Sequence, residues 1–136
     1  MSPGAADGFE AVVGAGTLRV TDADAVAFPH RWTEQGVSVR TTFTGAHLLH
    51  LAVAGCVLND TYREAERLGV TVEGVRVVAS GDFDLGTWQS TGIRYAVEVD
   101  SPMSPEALEE VLAAVDAVAE IPRAIRAGGP VERVPG

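Results

Sequence analysis

Residues 47–58 read HLLHLAVAGCVL, and residues 59–69 read NDTYREAERLG. The spacing predicts one helix over residues 46–68, with Gly69 as its C-cap. The first half is apolar on nearly every face, which is typical of a helix surrounded by protein. The second half is polar and is expected to emerge into water. Cys56, the only cysteine of the chain, is predicted to be buried at the inner end of the apolar half.

Strand-like segments stand on both sides of this helix. Residues 9–43 indicate short strands, two of them around Gly14-Ala15-Gly16, which we interpret as a tight turn because glycine tolerates positive φ. Residues 22–32 could hold a further strand or a loop. Residues 70–84 and 92–100 resume strand character, and the second of these alternates apolar and polar side chains, as a half-buried strand does.

A second helix follows the last strand. Ser104 provides an N-cap hydroxyl, Pro105 fits the first helical position, and Glu106 places an acid in the first turn. Pro122 is expected to break this helix. The apolar stripe at helical spacing is Leu108, Val111, Leu112, Val115 and Val118. The element order predicts an α+β fold, in which two antiparallel-rich sheet segments enclose a buried central helix, as a single domain over residues 1–136.

Charge and cysteine content limit the function classes. The net charge of −9, from 19 acidic and 10 basic residues, argues against a nucleic-acid partner, since phosphate binding needs a surplus of Lys and Arg. The longest apolar stretch is too short to span a bilayer, so we expect no membrane association. Residues 1–13 lack a basic segment before an apolar run, so we expect no signal peptide. One cysteine without a disulfide partner fits a reducing cytoplasm.

Two segments resemble the OsmC/Ohr family of thiol-dependent hydroperoxide reductases. HLLHLAVAGCVLNDTYREAERLGVTVEGVRV (residues 47–77) is similar to that family's cysteine helix and following strand. IRYAVEVDSPMSPEALEEVLAAVDAVAEIPRAIRAGGPVE (residues 93–132) is similar to its strand, Ser-Pro-x-Ser-Pro-Glu helix start and closing segment. The resemblance implies an intertwined homodimer. It also implies a reactive cysteine that attacks an organic hydroperoxide, a second cysteine that closes a disulfide, and a nearby Arg and Glu that hold the thiolate.

The family's catalytic positions are only partly filled in this chain. Cys56 occupies the place of the first cysteine, whereas the place of the second falls on Ala119. The family's acid falls on Ala46 or His47. Its arginine comes from the turn that here holds Gly14-Ala15-Gly16, where Arg19 is the nearest basic residue. A two-cysteine cycle within one chain is therefore excluded.

His47 and His50 lie three residues apart on one helix face, where they could line a pocket or an interface. Helical geometry turns Cys56 away from both histidines, so we expect no metal site and no cofactor. Two functions stay open. Cys56 alone could reduce hydroperoxides or related electrophiles with an external thiol. Alternatively, a catalytically silent relative could bind a small apolar or anionic ligand in an inter-subunit pocket rimmed by His47, His50 and Arg19. A purely structural dimer is a third alternative.

Overall fold

The computed structural model describes residues 8–136, so that residues 1–7, on which part of the signal-peptide prediction rests, lie outside the described residues. The described chain forms strands and helices in the order β1 (Ala11–Gly16), β2 (Val26–Phe28), β3 (Val37–Arg40), α1 (Gly45–Leu68), β4 (Gly74–Phe83), β5 (Ser90–Asp100), α2 (Pro105–Val118) and α3 (Glu120–Ala127). The predicted α+β class is confirmed.

The strands before and after α1 join one antiparallel sheet in the order β2-β3-β1-β4-β5. β1 lies inside it, where Val13 pairs with Val39 on one side and with Val77 on the other. β4 and β5 form the longest pairing and are connected by residues 84–89. In β5 the partly buried residues alternate with exposed ones from residue 93 onward, which confirms the predicted half-buried strand.

Helix α1 packs across β1 and β4, and α2 and α3 pack against α1. The core lies between them and is made almost entirely of small and branched apolar side chains. Burial of each valine or leucine contributes about 1.5–3 kcal/mol, so this layer supplies the main stabilisation of the fold. Its largest fully buried apolar side chains are Val13, Val57, Leu58, Val75, Val77, Val111 and Val115.

The helix ends follow local chemistry. Thr44 caps α1, since its hydroxyl accepts the backbone N–H of His47 at 3.1 Å, and Gly69 ends the helix at φ 70°. Ser104 caps α2 in the same way, with its hydroxyl 3.2 Å from the N–H of Ala107. The predicted caps at Gly69 and Ser104 are therefore confirmed.

Two predicted breaks fall elsewhere. Gly14 and Ala15 lie inside β1 and not in a turn. A Cβ on Gly14 would lie 2.3 Å from the carbonyl oxygen of Leu18, so this glycine permits a close approach of two backbone segments. The chain turns only after Gly16, at φ 62°, and residues 17–20 form no strand. The second helix breaks at Ala119, three residues before Pro122, which lies in the first turn of α3.

The expected division of α1 into a buried and a solvated half is wrong. Asp60, Thr61 and Glu64 in its polar half are buried, whereas Cys56 in its apolar half is only half-buried in the single chain. Residues 29–33 cover the polar half: the His30 ring meets the Tyr62 ring edge-on at 5.2 Å. The polar atoms are buried because they are largely paired. For example, the Thr61 hydroxyl donates to the Val57 carbonyl at 2.7 Å.

Candidate active site

Cys56 lies on the side of α1 that faces the start of α3. Its Sγ lies 3.8 Å from Oδ2 of Asp60, one helical turn further along α1. The backbone N–H groups of Ile121 and Glu120 also act on the sulfur. The thiol is thus held between a carboxyl group of its own helix and the amino end of another helix. This position combines partial exposure with specific polar neighbours.

The surroundings of Cys56 favour the protonated thiol. Burial raises the pKa of the Cys56 thiol above its usual value, and the carboxylates of Asp60 and Glu120 raise it further. The N–H groups of Ile121 and Glu120 lower this pKa, but they do not outweigh the burial. At neutral pH the thiolate is therefore the minor form, in contrast to the electropositive sites in which reactive cysteines are found.

Asp60 is the most unusual polar group near the thiol. Its side chain is fully buried, and its Oδ2 pairs with Nη2 of Arg63 at 3.2 Å. Its Oδ1 is buried, and no described residue forms a hydrogen bond with it. Burial raises the pKa of the Asp60 carboxyl, the Arg63 guanidinium lowers it, and Glu120 raises it again. Asp60 and Glu120 were missed in the sequence, although the four-residue spacing from Cys56 to Asp60 was a usable signal.

His47 and His50 form a separate group near the start of α1. His47 Nδ1 and the Thr44 hydroxyl are hydrogen-bonded at 2.6 Å, and Nδ1 of His50 donates to the Phe9 carbonyl at 2.9 Å. Burial lowers the pKa of His50, so this imidazole is neutral at neutral pH. Six helical residues separate His50 from Cys56, about 9 Å along the axis. The two histidines are together, as predicted, but they point away from the thiol's neighbours.

Arg19 lies in the turn after β1, where its guanidinium donates to the Gln35 side chain. The charged groups that act on the Cys56 thiol are Asp60 and Glu120. The structure therefore gives Arg19 a local partner and does not bring it to the cysteine.

Ala119 is buried at the junction of α2 and α3, immediately before Glu120 and Ile121. Because the N–H groups of these two residues act on Cys56, the position that the resemblance gives to a second cysteine adjoins the thiol. Position 119 therefore lies beside the Cys56 thiol, but its alanine side chain provides only a methyl group.

These observations define the class: an α+β protein with a cysteine on a long central helix. Residues 38–133 match the OsmC family, described as OsmC-like protein, and the chain belongs to this family. Its fold is similar to the crystal structure of an OsmC-like protein from Mycoplasma pneumoniae (TM-score 0.58, 15% identity, 85% of each chain covered). An OsmC-like hydroperoxide resistance protein from Jannaschia sp. CCS1 is also similar (TM-score 0.48, 18% identity, 91% of this chain and 90% of that chain covered). No curated protein matches the sequence.

No helix in the described part of the chain combines the length and apolar character that a bilayer crossing requires.

Proposed function

We propose that the protein reduces organic hydroperoxides slowly, through Cys56 alone and with an external thiol as reductant. The observation that supports this most is the placement of a half-exposed Cys56 thiol against the backbone N–H groups of Ile121 and Glu120. These donors can stabilise the thiolate and the sulfenate formed from it. The absence of a thiol at Ala119 limits each turnover to one cysteine.

The chemistry requires no further cofactor. The Cys56 thiolate attacks the terminal oxygen of the hydroperoxide, an S–O bond forms, and the O–O bond breaks. The alkoxide that leaves takes up a proton, which gives the alcohol and a sulfenic acid on Cys56. Two molecules of a small thiol then reduce the sulfenic acid, yielding the free Cys56 thiol, a small-molecule disulfide and water.

The reaction is expected to be slow at neutral pH. The raised pKa of Cys56 leaves a small thiolate fraction, and burial is its main cause. Arg19, the candidate for the family's arginine, donates a hydrogen bond to the Gln35 side chain instead. Among the groups that shift the pKa of Cys56, no cation offsets the negative charges of Asp60 and Glu120.

The test is direct detection of the sulfenic acid. Chelator-treated protein at mildly alkaline pH is mixed with one equivalent of cumene hydroperoxide and a sulfenate-selective trap, followed by mass spectrometry. The trapped adduct is expected on Cys56 and is expected to be lost in Cys56→Ser. A folded protein that gains no oxygen on Cys56 under excess hydroperoxide would exclude this function.

A second thiol at position 119 tests whether this position lies close enough to Cys56 to form a disulfide. Ala119→Cys is expected to convert the trapped sulfenate into an intramolecular disulfide and to speed recycling, provided the two Cα atoms come within about 7 Å. Ala117→Cys, an exposed position on α2, serves as the control and should remain a free thiol. Equal disulfide formation in both variants would show that the pairing reflects general mobility.

A ligand-binding function is the second candidate, and it rests on a hollow near the start of α1. This hollow has a volume of about 490 Å³ and is lined mainly by apolar side chains, including Phe9, Leu49, Phe83 and Trp88. His47 and His50 stand behind it, with the His47 and Phe9 rings 5.3 Å apart. We propose a small apolar molecule as its ligand.

Trp88 reports on this hollow because its side chain is exposed and lies in the lining. In Trp32→Phe, where Trp88 is the remaining tryptophan, a medium-chain fatty alcohol is expected to shift the emission to the blue. Leu49→Asp should abolish the shift. An unchanged spectrum at saturating alcohol would remove this candidate.

We also propose that the protein works as a cytoplasmic homodimer. The outer side of α1 supports the dimer, since Leu51 and Gly55 are partly exposed and Ala52 is exposed in the single chain. They line an apolar hollow of about 270 Å³ together with β3 residues such as Val37. Apolar exposure of this kind on a central helix is best covered by a second copy. Sedimentation that shows a stable folded monomer at micromolar concentration would contradict the dimer.

A further inference from the structure

The side chains around Cys56 include a cluster that hydroperoxide chemistry does not explain. The Sγ of Cys56, a carboxylate oxygen of Asp60 and a carboxylate oxygen of Glu120 all lie within 4.8 Å of one another. Asp60 is fully buried, Cys56 is half-buried, and Glu120 is exposed to solvent. Three groups that can each carry a negative charge therefore converge at one place.

The buried carboxylate gives independent reason to expect a bound cation. One oxygen of Asp60, Oδ2, is engaged by Arg63, whereas Oδ1 is buried and has no hydrogen-bond partner among residues 8–136. A buried carboxylate oxygen without a partner is destabilising, so proteins seldom leave one unpaired. A cation that accepts an electron pair from Oδ1 of Asp60 would remove that cost.

The arrangement of the three groups suits a metal ion. Cys56 and Asp60 are one helical turn apart on the same face of α1, and Glu120 comes from the start of α3. Tetrahedral zinc with bonds of about 2.0–2.3 Å holds its ligand atoms about 3.3–3.8 Å apart. The three ligand atoms would thus have to approach one another by no more than about 1.5 Å.

We propose that Cys56, Asp60 and Glu120 form a binding site for one divalent transition-metal ion of the zinc type, with water in the fourth position. A thiolate ligand favours zinc over magnesium or calcium, which prefer oxygen ligands alone. Binding would replace the proton held by the Cys56 thiol, so that the thiol releases a proton to solvent. Arg63, which is partly exposed, would keep its contact with Oδ2 of Asp60.

Such a site has a consequence for Cys56, since a metal-bound thiolate is shielded from attack on a hydroperoxide. The metal site and the hydroperoxide reaction therefore compete for the same sulfur. The two proposals are separable, because the sulfenate experiment is performed with chelator and the metal experiment without oxidant.

The test uses the full-length reduced protein, treated with chelator and freed of it by gel filtration. Titration with Co²⁺ is expected to give a near-ultraviolet thiolate-to-cobalt charge-transfer band that saturates at one equivalent per chain. Zn²⁺ should displace the cobalt and remove the band. Proton release on binding, measured in weakly buffered solution with a pH indicator, is expected to accompany it.

Variants assign the ligands. Cys56→Ser should abolish the charge-transfer band, and Glu120→Gln and Asp60→Asn should each weaken Co²⁺ binding at least tenfold. Glu110→Gln, at an exposed position of α2, is the matched control and should bind as the parent does. Glu120 is exposed, so its variant keeps the assignment testable if Asp60→Asn unfolds.

Any of these outcomes would overturn the proposal: no saturable Co²⁺ binding by the folded protein, binding that survives in Cys56→Ser, or binding that is lost in His47→Gln. The last would place the ion at the histidines. If Glu120→Gln bound Co²⁺ as tightly as the parent, the three-residue site would also be wrong.

Discussion

Near its start, α1 buries His47 and His50 among aromatic rings, whereas further along it buries Asp60 beside Cys56. The imidazole of His50 is neutral, donates to the Phe9 carbonyl and packs closely on β4. The carboxyl of Asp60 pairs one oxygen with Arg63, and the described part of the chain offers no partner for the other. Both ends bury polar atoms on one helix, yet only the second gathers acidic groups.

The difference shows how burial separates a structural polar group from a candidate site. A neutral imidazole loses little on burial once one nitrogen is hydrogen-bonded, although Nε2 of His50 also lacks a partner within the described chain. A carboxyl group loses far more, and it must take up a proton, a cation or an ion pair. The histidine end is thus expected to be sensitive to packing, and the cysteine end to charge and pH.

The largest effect is expected from Gly81→Ala, which tests packing at the histidine end. A Cβ at this position would lie 2.4 Å from the Gly92 carbonyl oxygen and 2.8 Å from Nε2 of His50. The free energy of unfolding should fall by about 3 kcal/mol. Urea denaturation measures it, with Gly129→Ala as control, where no atom lies within 4 Å of the added Cβ. Equal stability of both variants would show that Gly81 is not packed against Gly92 and His50 as described.

The second effect concerns the reactivity of Cys56 as the pH changes. Because the pKa of Cys56 is raised, mainly by burial, its alkylation by iodoacetamide should become about tenfold faster per pH unit from pH 7 to 9. Asp60→Asn removes one neighbouring carboxylate and should speed the reaction several-fold at pH 7.5, whereas Glu110→Gln should not. A rate that levels off below pH 8 would mean that the thiol is not held in its protonated form.

A smaller effect is expected on stability in Asp60→Asn. The pKa of Asp60 is raised in the folded state, so its favourable contribution is full below about pH 4 and is lost as the pH rises through the folded pKa. At pH 7, in the presence of chelator, the variant should therefore be more stable by roughly 1 kcal/mol, and this gain should shrink toward pH 4. A marked loss at pH 7 would show that the ion pair with Arg63 outweighs the cost of burial.

The smallest effect is expected from Cys56→Ala. Cys56 is half-buried and loses only a sulfur atom in this change, so the free energy of unfolding should fall by less than about 1 kcal/mol. Thermal unfolding of parent and variant measures the difference. A drop of several kcal/mol would indicate that the thiol is a core residue after all.

The local features of the fold were predictable from the sequence. The sequence predicts the helix-end residues Gly69, Ser104 and Pro105, because a cap depends on one side chain and the backbone next to it. It does not single out Thr44, which caps the start of α1. The alternation in β5 was predictable for the same reason. The role of Gly14 was not predictable. This glycine lies inside β1 and permits the close approach of the Leu18 backbone, a contact that exists only in the folded chain.

The sequence by itself determined the α+β class, the cysteine helix, the family resemblance and the missing thiol at Ala119, all of which depend on residue order and spacing. Only the tertiary structure decided that the polar half of α1 is buried, that Arg19 pairs with Gln35, and that Glu120 joins Asp60 at Cys56. Contacts between residues far apart in the chain depend on how the helices and the sheet pack, and no local pattern of residues encodes that packing.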